Sequence, residues 1–542
     1  MIQLLKSIKL IAAMTPISLL LIACGPQQVP AGLVYCSEGN PETFNPQLVT
    51  SGTTIDATSQ QLYDSLIDYD PVSGEFVAAL ASSWQASADG LSYRFKLRPG
   101  VQFHHTDWFT PSRPFNADDV IFSFNRIIDS ENPYHGISQT GYPFFQSIGF
   151  TEQVTSIEKT ADDEVVFHLK QSNASFLANL ATGFSVILSK EYADSLLASG
   201  KPEQLDRMPV GTGPFKLVNY VKNEFIRYHR NEKFWRTLPE FEQLVFNITP
   251  QSSARLTKLI TGDCSVSALP KAGELPVIKQ HPNLEVDAQL GFNVAFWAFN
   301  TQKAPFDDVR VRQALAYAVD KQNILRAVYQ ETAIKANGML PPQSWAYHYN
   351  KSSYQYNPEK SRALLADAGI DDLSIDIWAM PVARIYNPNA LKTAELIQAD
   401  LANIGVNVNI ITYDWSVFNQ KLNRNDYDSV LIGWNADNSD PDNFFSPIMS
   451  CASRESSSNR AQWCSAEMDE ILAKAKATTV EAERKALYQQ AEALFNEHVP
   501  MMTFAHATQL TFKSKAVKQT QLTPFGGISF EHAKTIAITG EL

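Results

Sequence analysis

Residues 391–412 read LKTAELIQADLANIGVNVNIIT and hold both kinds of element that the chain alternates. Apolar side chains recur at helical spacing, at Leu391, Ala394, Ile397, Leu401 and Ile404. Gly405 ends this helix, and the β-branched run 406–412 that follows is typical of a strand. A helix that leads directly into a strand favours an α/β protein whose sheets are covered by helices.

The same alternation extends outward in both directions. Residues 165–169 are a second strand-like run. Asn116, with acids in the next turn, predicts the start of a helix. Thr478 with Glu481 predicts a capping box at the start of a helix that runs toward Pro500.

Composition bounds the class of protein. The chain has 542 residues, enough for three to four domains, and 44% apolar with 19% charged residues rules out wholesale disorder. Its 45 basic and 57 acidic residues give a net charge of −12. Nucleic-acid binding is therefore not expected, because it needs Lys and Arg against phosphate. An acidic surface suits cationic ligands better, although acidity often serves solubility alone.

The first 24 residues have the pattern of an export signal. Lys6 and Lys9 precede an apolar run, 10–22, that is too short to span a bilayer. Cys24 directly follows Ala23, which resembles the lipobox of bacterial lipoproteins and predicts lipidation of Cys24. The alternative is a plain secretory signal in which Cys24 is incidental. Residues 25–32 are then a tether, and the body is expected to be water-soluble and held at a membrane by its lipid.

Four further cysteines remain in this exported, oxidising context. They are Cys36, Cys264, Cys451 and Cys464. Four cysteines allow three pairings. The spacing of 13 residues between Cys451 and Cys464, beside Ser and Asn, favours a local disulfide and leaves Cys36 for Cys264. A zinc site is the weaker alternative, because no CxxC pair exists.

Enzyme chemistry finds little support. GxSxG, HExxH, a P-loop and a GxGxxG motif after a strand are missing from the sequence. Residues 211–214 look like a glycine loop, but Pro214 removes an amide that a phosphate would need, so a turn between lobes is favoured. His104 and His105 are adjacent, and neighbours on a strand point to opposite faces, which disfavours chelation. We expect no metal, no cofactor and no catalytic residue.

Two segments do carry binding chemistry. Residues 433–445 (GWNADNSDPDNFF) concentrate acids beside a Trp, and residues 380–388 hold Arg384 in an otherwise apolar loop. A carboxylate aimed into a pocket suits an ammonium group, and an Arg fork suits a carboxylate. The alternatives are a solvated turn for the acids and a surface position for Arg384.

Long motifs along the chain resemble the family 5 substrate-binding proteins of peptide ABC importers. The motifs are residues 33–39 (LVYCSEG) with 44–46 (FNP), 115–124 (FNADDVIFSF), 209–215 (PVGTGPF), 299–301 (FNT), 309–315 (VRVRQAL) and 395–400 (ELIQAD). Residues 185–194 and the Arg384 loop look dipeptide-type, whereas 107–111 and 345–347 look like the Sap-type antimicrobial-peptide-binding members.

This resemblance implies a periplasmic-binding-protein-like clamshell (type II, cluster C) with two lobes and an extra inserted domain. Residues 33–62, 211–290 and 508–542 would form lobe I, residues 63–210 the inserted domain II, and residues 291–507 lobe III. It also implies disulfides Cys36–Cys264 and Cys451–Cys464, the pairs that the spacing favours.

The resemblance assigns roles to single residues. Asp437 in the Gly-Trp-x-x-Asp loop would hold the α-ammonium of a peptide, and Arg384 its α-carboxylate. Main-chain hydrogen bonds to the peptide would come from Trp434, Asn435 and Ala436, and from Ser51, Gly52 and Thr53. The Arg384 loop reads Arg-Ile-Tyr where dipeptide-type members have Arg-Pro-Tyr.

The expected function is capture of di- or oligopeptides by closure of the clamshell, without catalysis. The protein would act as a monomer in the periplasm or cell envelope. It would deliver the peptide to a membrane permease powered by separate ATPases. The rival hypotheses are Sap-type binding of cationic antimicrobial peptides, and binding of haem or glutathione, where haem would want an axial ligand such as His104 or His105.

Overall fold

The computed structural model describes residues 32–138, 141–349, 354–454 and 458–536. Cys24, the export signal and residues 25–31 of the tether therefore lie outside the described residues. No helix in the described ranges combines the length and apolar character needed to cross a membrane.

The strands lie along the whole described chain. They are β1 Gly32–Ser37, β2 Ile67–Asp70, β3 Glu75–Ala78, β4 Ala81–Ala86, β5 Ser92–Leu97, β6 Val154–Ala161, β7 Glu164–Leu169, β8 Phe215–Val221, β9 Phe225–Arg230, β10 Gln243–Ile248, β11 Val266–Ser267, β12 Leu284–Leu290, β13 Asn293–Phe299, β14 Ala333–Lys335, β15 Leu373–Ala379, β16 Val406–Ile411, β17 Ser429–Asn435, β18 Met501–Ser514, β19 Val517–Lys518, β20 Gln521–Leu522, β21 Ile528–Ser529 and β22 Lys534–Thr535.

Helices alternate with these strands. They are α1 Gly52–Ala57, α2 Ser59–Leu62, α3 Ala117–Ile128, α4 Pro143–Ser147, α5 Phe150–Gln153, α6 Phe176–Leu180, α7 Lys190–Ala198, α8 Ser252–Thr261, α9 Leu275–Gln280, α10 Val309–Ala318, α11 Lys321–Ile324, α12 Pro358–Asp367, α13 Ala390–Ala402, α14 Trp415–Leu422, α15 Ser446–Met449, α16 Ala466–Ala477 and α17 Glu481–His498.

Local sequence explains where several helices begin. Asn116 caps α3 as expected, and Asp119 completes a capping box there. The amphipathic run that begins at Leu391 forms α13 and leads into β16. The capping box predicted for Thr478 is wrong, because α17 begins at Glu481 and its N-cap is Val480. Thr478 instead ends α16.

One twelve-stranded mixed sheet dominates the fold. Its order is β16-β15-β17-β13-β18-β11-β1-β10-β9-β8, with β12 and β14 also paired to β18. A separate four-stranded sheet has the order β4-β5-β7-β6. The α/β expectation from the sequence is therefore correct at the level of class.

Strand β18 is common to both halves of the large sheet. Its first residues pair with β13, as in Trp297 opposite Met502, and its last residues pair with β12, as in Asp287 opposite Thr511. Between these two pairings, the amide of Asn293 bridges to Ala507 through bonds of 2.9 and 2.8 Å. The chain thus passes from β12 in one half of the sheet to β13 in the other half, and the continuous strand β18 pairs with both.

Two large apolar cores flank this crossing. One contains buried residues between 292 and 507, including Trp297 and Tyr488. The other contains buried residues between 33 and 268 together with the C-terminal residues 517–533. The lobe and inserted-domain boundaries given above stay a prediction.

Both expected disulfides are present in the structure. Cys36 and Cys264 have Cα atoms 5.8 Å apart, and Cys451 and Cys464 have Cα atoms 4.6 Å apart. The first joins β1 to the segment before β11, and the second closes a loop of 13 residues.

Candidate ligand-binding cleft

A cavity of about 1540 Å³ lies between the two cores and is lined by residues from both. Ser51, Gly52 and Thr53, at the start of α1, lie on its wall, as do Arg384, Asn435 and Asp437 from the opposite half. The fold therefore brings six of the eight candidate binding residues together around one cavity.

Trp434 and Ala436 do not line this cavity. The indole Nε1 of Trp434 donates to Asn443 Oδ1 at 3.1 Å, which turns the ring away. Ala436 is fully buried and its backbone N–H donates to Phe292 O at 2.7 Å. Their contribution is to hold the strand end from which the cavity residues project.

Asp437 follows the end of β17 and remains partly exposed to the cavity. Within the described ranges, no cationic side chain forms an ion pair with it. Burial raises the pKa of its carboxyl from 3.8 to about 7, while a hydrogen bond from Asn443 works in the opposite direction. A desolvated carboxylate without a cation is suited to bind an ammonium group, which would lower its pKa again.

Asn443 was missed by sequence reasoning. Its Oδ1 accepts hydrogen bonds from Trp434 Nε1 and from the backbone N–H of Asp437 at 3.0 Å, and its Nδ2 donates to Asp437 Oδ2 at 3.4 Å. The signal in the sequence is the Asp440-Pro441 pair, because a capping acid followed by proline predicts a helical turn that carries Asn443.

Arg384 lies in the loop between β15 and α13. Reciprocal backbone hydrogen bonds with Asn387, of 3.0 and 3.1 Å, close a turn that presents the exposed Arg384 side chain. Its guanidinium lies 4.6 Å from the centroid of the Trp415 ring, and no carboxylate in the described part of the chain pairs with it. Its Nη1 donates to the backbone carbonyl of Ala383 at 3.3 Å. An Arg that packs over an aromatic face and has no carboxylate partner suits a ligand carboxylate.

Close packing brings the two loops together. β15 and β17 are neighbouring parallel strands, so their C-terminal ends lie at the same edge of the sheet. An added Cβ on Gly433 would lie 2.4 Å from the Tyr386 ring and 2.5 Å from Val294 O, so only glycine allows this approach. Tyr386 is also fixed through its carbonyl, which accepts from Tyr329 Oη at 2.6 Å.

The opposite wall carries an arginine that is paired with carboxylates and a buried carboxylate that is held by hydrogen bonds alone. Arg236 is paired with Asp68 and with Glu531, the latter at 3.4 Å. Asp56 accepts hydrogen bonds from Tyr35 Oη and from the backbone N–H of Ile528. Burial, with the nearby Glu38 charge, raises the pKa of Asp56 well above its ordinary value.

His104 and His105 do not line the cavity. His104 is fully buried against the 211–213 turn, where its Nε2 lies 3.0 Å from Gly213 O, and burial lowers its pKa to about 4. That turn packs against Leu62, whose carbonyl accepts from Gly213 N. His532, which sequence reasoning did not single out, does line the cavity. Across the described ranges, no group of three or more His, Cys, Asp or Glu side chains is arranged to hold a metal ion.

Known proteins resemble this chain over more than nine-tenths of its length. The chain is 44% identical over 501 residues to the dipeptide-binding protein of Escherichia coli K12, covering 92% of this chain and 94% of that one. It is 43% identical over 498 residues to heme-binding protein A of Haemophilus influenzae, covering 92% and 91%. The solved dipeptide-binding protein of Pseudoalteromonas sp. SM9913 in complex with Met-Leu superimposes with a TM-score of 0.87 at 45% identity, covering 93% of this chain and all of that one.

These similarities confirm the periplasmic-binding-protein-like fold of type II and the family resemblance. The model of the middle region of the bacterial extracellular solute-binding proteins, family 5, matches residues 75–456. That family comprises solute-binding proteins rather than enzymes. The chain belongs to the bacterial extracellular solute-binding proteins of family 5.

Proposed function

We propose that this chain is the substrate-binding lipoprotein of an ABC importer and that its ligand is a short peptide. The observation that carries the proposal is the pairing of Asp437 and Arg384 on one cavity wall, with opposite charges and no ion pair to the described residues. Asp437 would bind the peptide α-ammonium and Arg384 the α-carboxylate. The ligands named for the E. coli and Pseudoalteromonas relatives support the same class.

Geometry favours a ligand of few residues. The two loops leave neighbouring parallel strands at the same edge of the sheet, and both charged side chains line the same cavity, which suits a ligand whose opposite charges are separated by a short main chain. The volume of about 1540 Å³ exceeds the usual range for a small-molecule site, about 300–1000 Å³. Water can fill the space around varied side chains, which predicts low selectivity for peptide sequence.

Delivery completes the proposed cycle. The open form captures a peptide in the periplasm, closure buries it, and the closed form presents it to a membrane permease with separate ATPases. Lipid on Cys24 would keep the protein at the membrane. The protein is proposed to act as a monomer.

The test is calorimetric titration of the protein lacking residues 1–24 with Met-Leu, N-acetyl-Met-Leu and Met-Leu amide. Each blocked end removes one charge partner, so each is expected to weaken binding by about 2–5 kcal/mol. In Asp437→Asn, N-acetylation of the peptide should weaken binding little further, because the carboxylate that pairs with the ammonium is already absent. In Arg384→Gln, amidation should weaken binding little further, because the guanidinium that pairs with the carboxylate is already absent. Equal affinity for free and blocked peptides contradicts the end-charge model.

Haem is the second candidate, because His532 lines the cavity and one relative is named a heme-binding protein. His532 is half exposed, with its Nε2 3.6 Å from Glu531 Oε1, and would serve as an axial ligand if it turned from Glu531, whereas His104 is fully buried. A hemin titration of the wild type and His532→Ala distinguishes the candidates. A Soret shift that the variant loses supports haem, and no shift leaves peptides as the ligand. Calorimetric titration with cationic peptides of increasing length tests the Sap-type alternative.

A further inference from the structure

The amide of Asn443 has one possible orientation. Its side chain is 4% exposed and lies in the short helical turn Pro441–Phe444. Two N–H groups, Trp434 Nε1 and the backbone of Asp437, point at the same Asn443 atom, which must therefore be the oxygen. The Nδ2 group is thereby directed at Asp437 Oδ2, 3.4 Å away.

We propose that Asn443 is the positioning residue of the ammonium site, which holds the Asp437 carboxylate facing the cavity in the orientation that receives a peptide α-ammonium. The identity of the ligand rests on the proposed function. The hydrogen bonds that orient Asp437 do not depend on it. With one face of the carboxylate held by Asn443, the remaining lone pairs face the cavity, where a ligand supplies the missing donors.

A buried ion pair fixes Asn443 in turn. Asp440 Oδ1 accepts from Asp442 N at 2.9 Å and so caps the turn that carries Asn443. Arg484 lies 2.8 Å from Asp440, with both side chains less than a tenth exposed, and donates from Nε to Ala475 O. The position of Asn443 is thus set by α16 and α17 rather than by a mobile loop.

Other charges around Asp437 are already paired or lie on different elements. On its own loop, Asp440 pairs with Arg484 and Asp442 pairs with Lys476. Across the strand edge, Arg384 packs on Trp415. On β2, Asp68 pairs with Arg236 and Tyr69 hydrogen-bonds Ser439, and on α6 the neutral Asn179 is bonded to Asn438. None forms an ion pair with Asp437 in the described ranges. Its protonation is therefore governed by burial, which raises the pKa, and by Asn443, which lowers it.

Asn443→Leu tests the proposal, because it removes the donor without adding a charge. Carbon-13 NMR of aspartate-labelled, ligand-free protein, with Asp437 assigned by its loss in Asp437→Asn, reports the carboxyl pKa. We expect a rise of about one pH unit, as loss of a hydrogen bond to a charged group predicts. The pH below which Met-Leu affinity falls should rise by the same amount. At pH values below this point the variant should therefore bind Met-Leu roughly tenfold more weakly than the wild type.

Asn231→Leu is the matched control. Asn231 is also 4% exposed, donates one hydrogen bond to Gly213 O and accepts one from Lys233 N, and lies away from the cavity. Asn231→Leu should lower stability without changing the pKa of the Asp437 carboxyl or the pH below which Met-Leu affinity falls. If Asn443→Leu does not fold, Asn443→Ser replaces it, since the hydroxyl is too short to bridge the same groups.

An unchanged Asp437 pKa in the folded Asn443 variant overturns the proposal. Failure of the peptide hypothesis is a separate result. In that case the wild type does not bind Met-Leu at any pH, yet the NMR titration still decides the role of Asn443.

Discussion

The carboxyl of Asp437 titrates in a different pH range once the chain folds. Its pKa is about 7 in the folded protein and about 3.9 in an unfolded chain, so the folded state binds more protons between these values. Stability therefore decreases as pH rises from about 4 to 7, and the loss persists above pH 7. A binding site that needs this charge is maintained at the expense of stability.

Replacing Asp437 by Asn should therefore stabilise the ligand-free protein at pH 8, by on the order of 2–4 kcal/mol, while it weakens peptide binding. Near pH 4 the stabilisation should vanish, because the wild-type carboxyl is then protonated. Chemical unfolding of both proteins at the two pH values measures this. Asp89→Asn serves as control, since Asp89 is exposed, hydrogen-bonded locally and not part of the cavity lining. Equal stability of wild type and Asp437→Asn at pH 8 contradicts the prediction.

Residue chemistry alone singled out only the charged residues of the cleft, whereas Ser51, Gly52, Thr53 and Asn435 were assigned through the family resemblance. Asp437 and Arg384 stand out as ionic groups in segments rich in aromatic or apolar residues, and both line the cavity. Asn443 and Trp415 act through other side chains, by hydrogen bonding and by stacking. The Asp440-Pro441 pair predicts the turn that carries Asn443, but a linear sequence does not specify which side chains Asn443 and Trp415 contact in the folded protein.

At the scale of elements, the binding loops depend on how tightly β17 packs beneath Tyr386. Gly433 lies in β17, and a methyl group there would collide with both the Tyr386 ring and Val294 O. The turn that carries Arg384 is continuous with Tyr386. Packing in the strand thus determines the distance between the two charged loops.

Gly433→Ala should displace Tyr386, lower stability by about 1–3 kcal/mol and weaken peptide binding as the Arg384 turn shifts. Gly136→Ala is the control, because an added Cβ there meets nothing within 4 Å. Thermal unfolding and Met-Leu titration of both variants measure the two effects. Binding by Gly433→Ala with wild-type affinity and melting temperature contradicts the structure of this contact.

A helix was predicted correctly where its own residues contain both the apolar spacing and the signal that ends it. The apolar spacing from Leu391 and the stop at Gly405 placed α13 to within two residues of its ends. The Thr478 prediction failed because two helices meet there. Its hydroxyl accepts from Val480 N and donates to Glu483, so it links the end of α16 to the first turn of α17 rather than capping either in the expected way. The order of strands in the large sheet was not predictable, because it depends on pairings between distant segments.

For the whole molecule, the two disulfides constrain the unfolded chain very differently. Cys36 and Cys264 are 228 residues apart, whereas Cys451 and Cys464 are 13 apart. The chain-entropy model makes the longer loop more stabilising by about 2–3 kcal/mol. Double Cys→Ser replacement of the first pair should therefore lower the free energy of unfolding more than replacement of the second, as measured in urea. An equal or reversed order rejects the entropic account.

The position of β18 in the chain has a consequence for biosynthesis. This strand joins the two halves of the large sheet, yet it begins only at Met501, after all the other strands of that sheet have been made. At about 5–20 residues per second, a ribosome needs roughly 25–100 s to reach it. Until then β11 and β13 have no partner on the side that β18 will occupy, and such open edges invite pairing with other chains. A nascent chain of this protein is therefore best kept from folding until translation is complete.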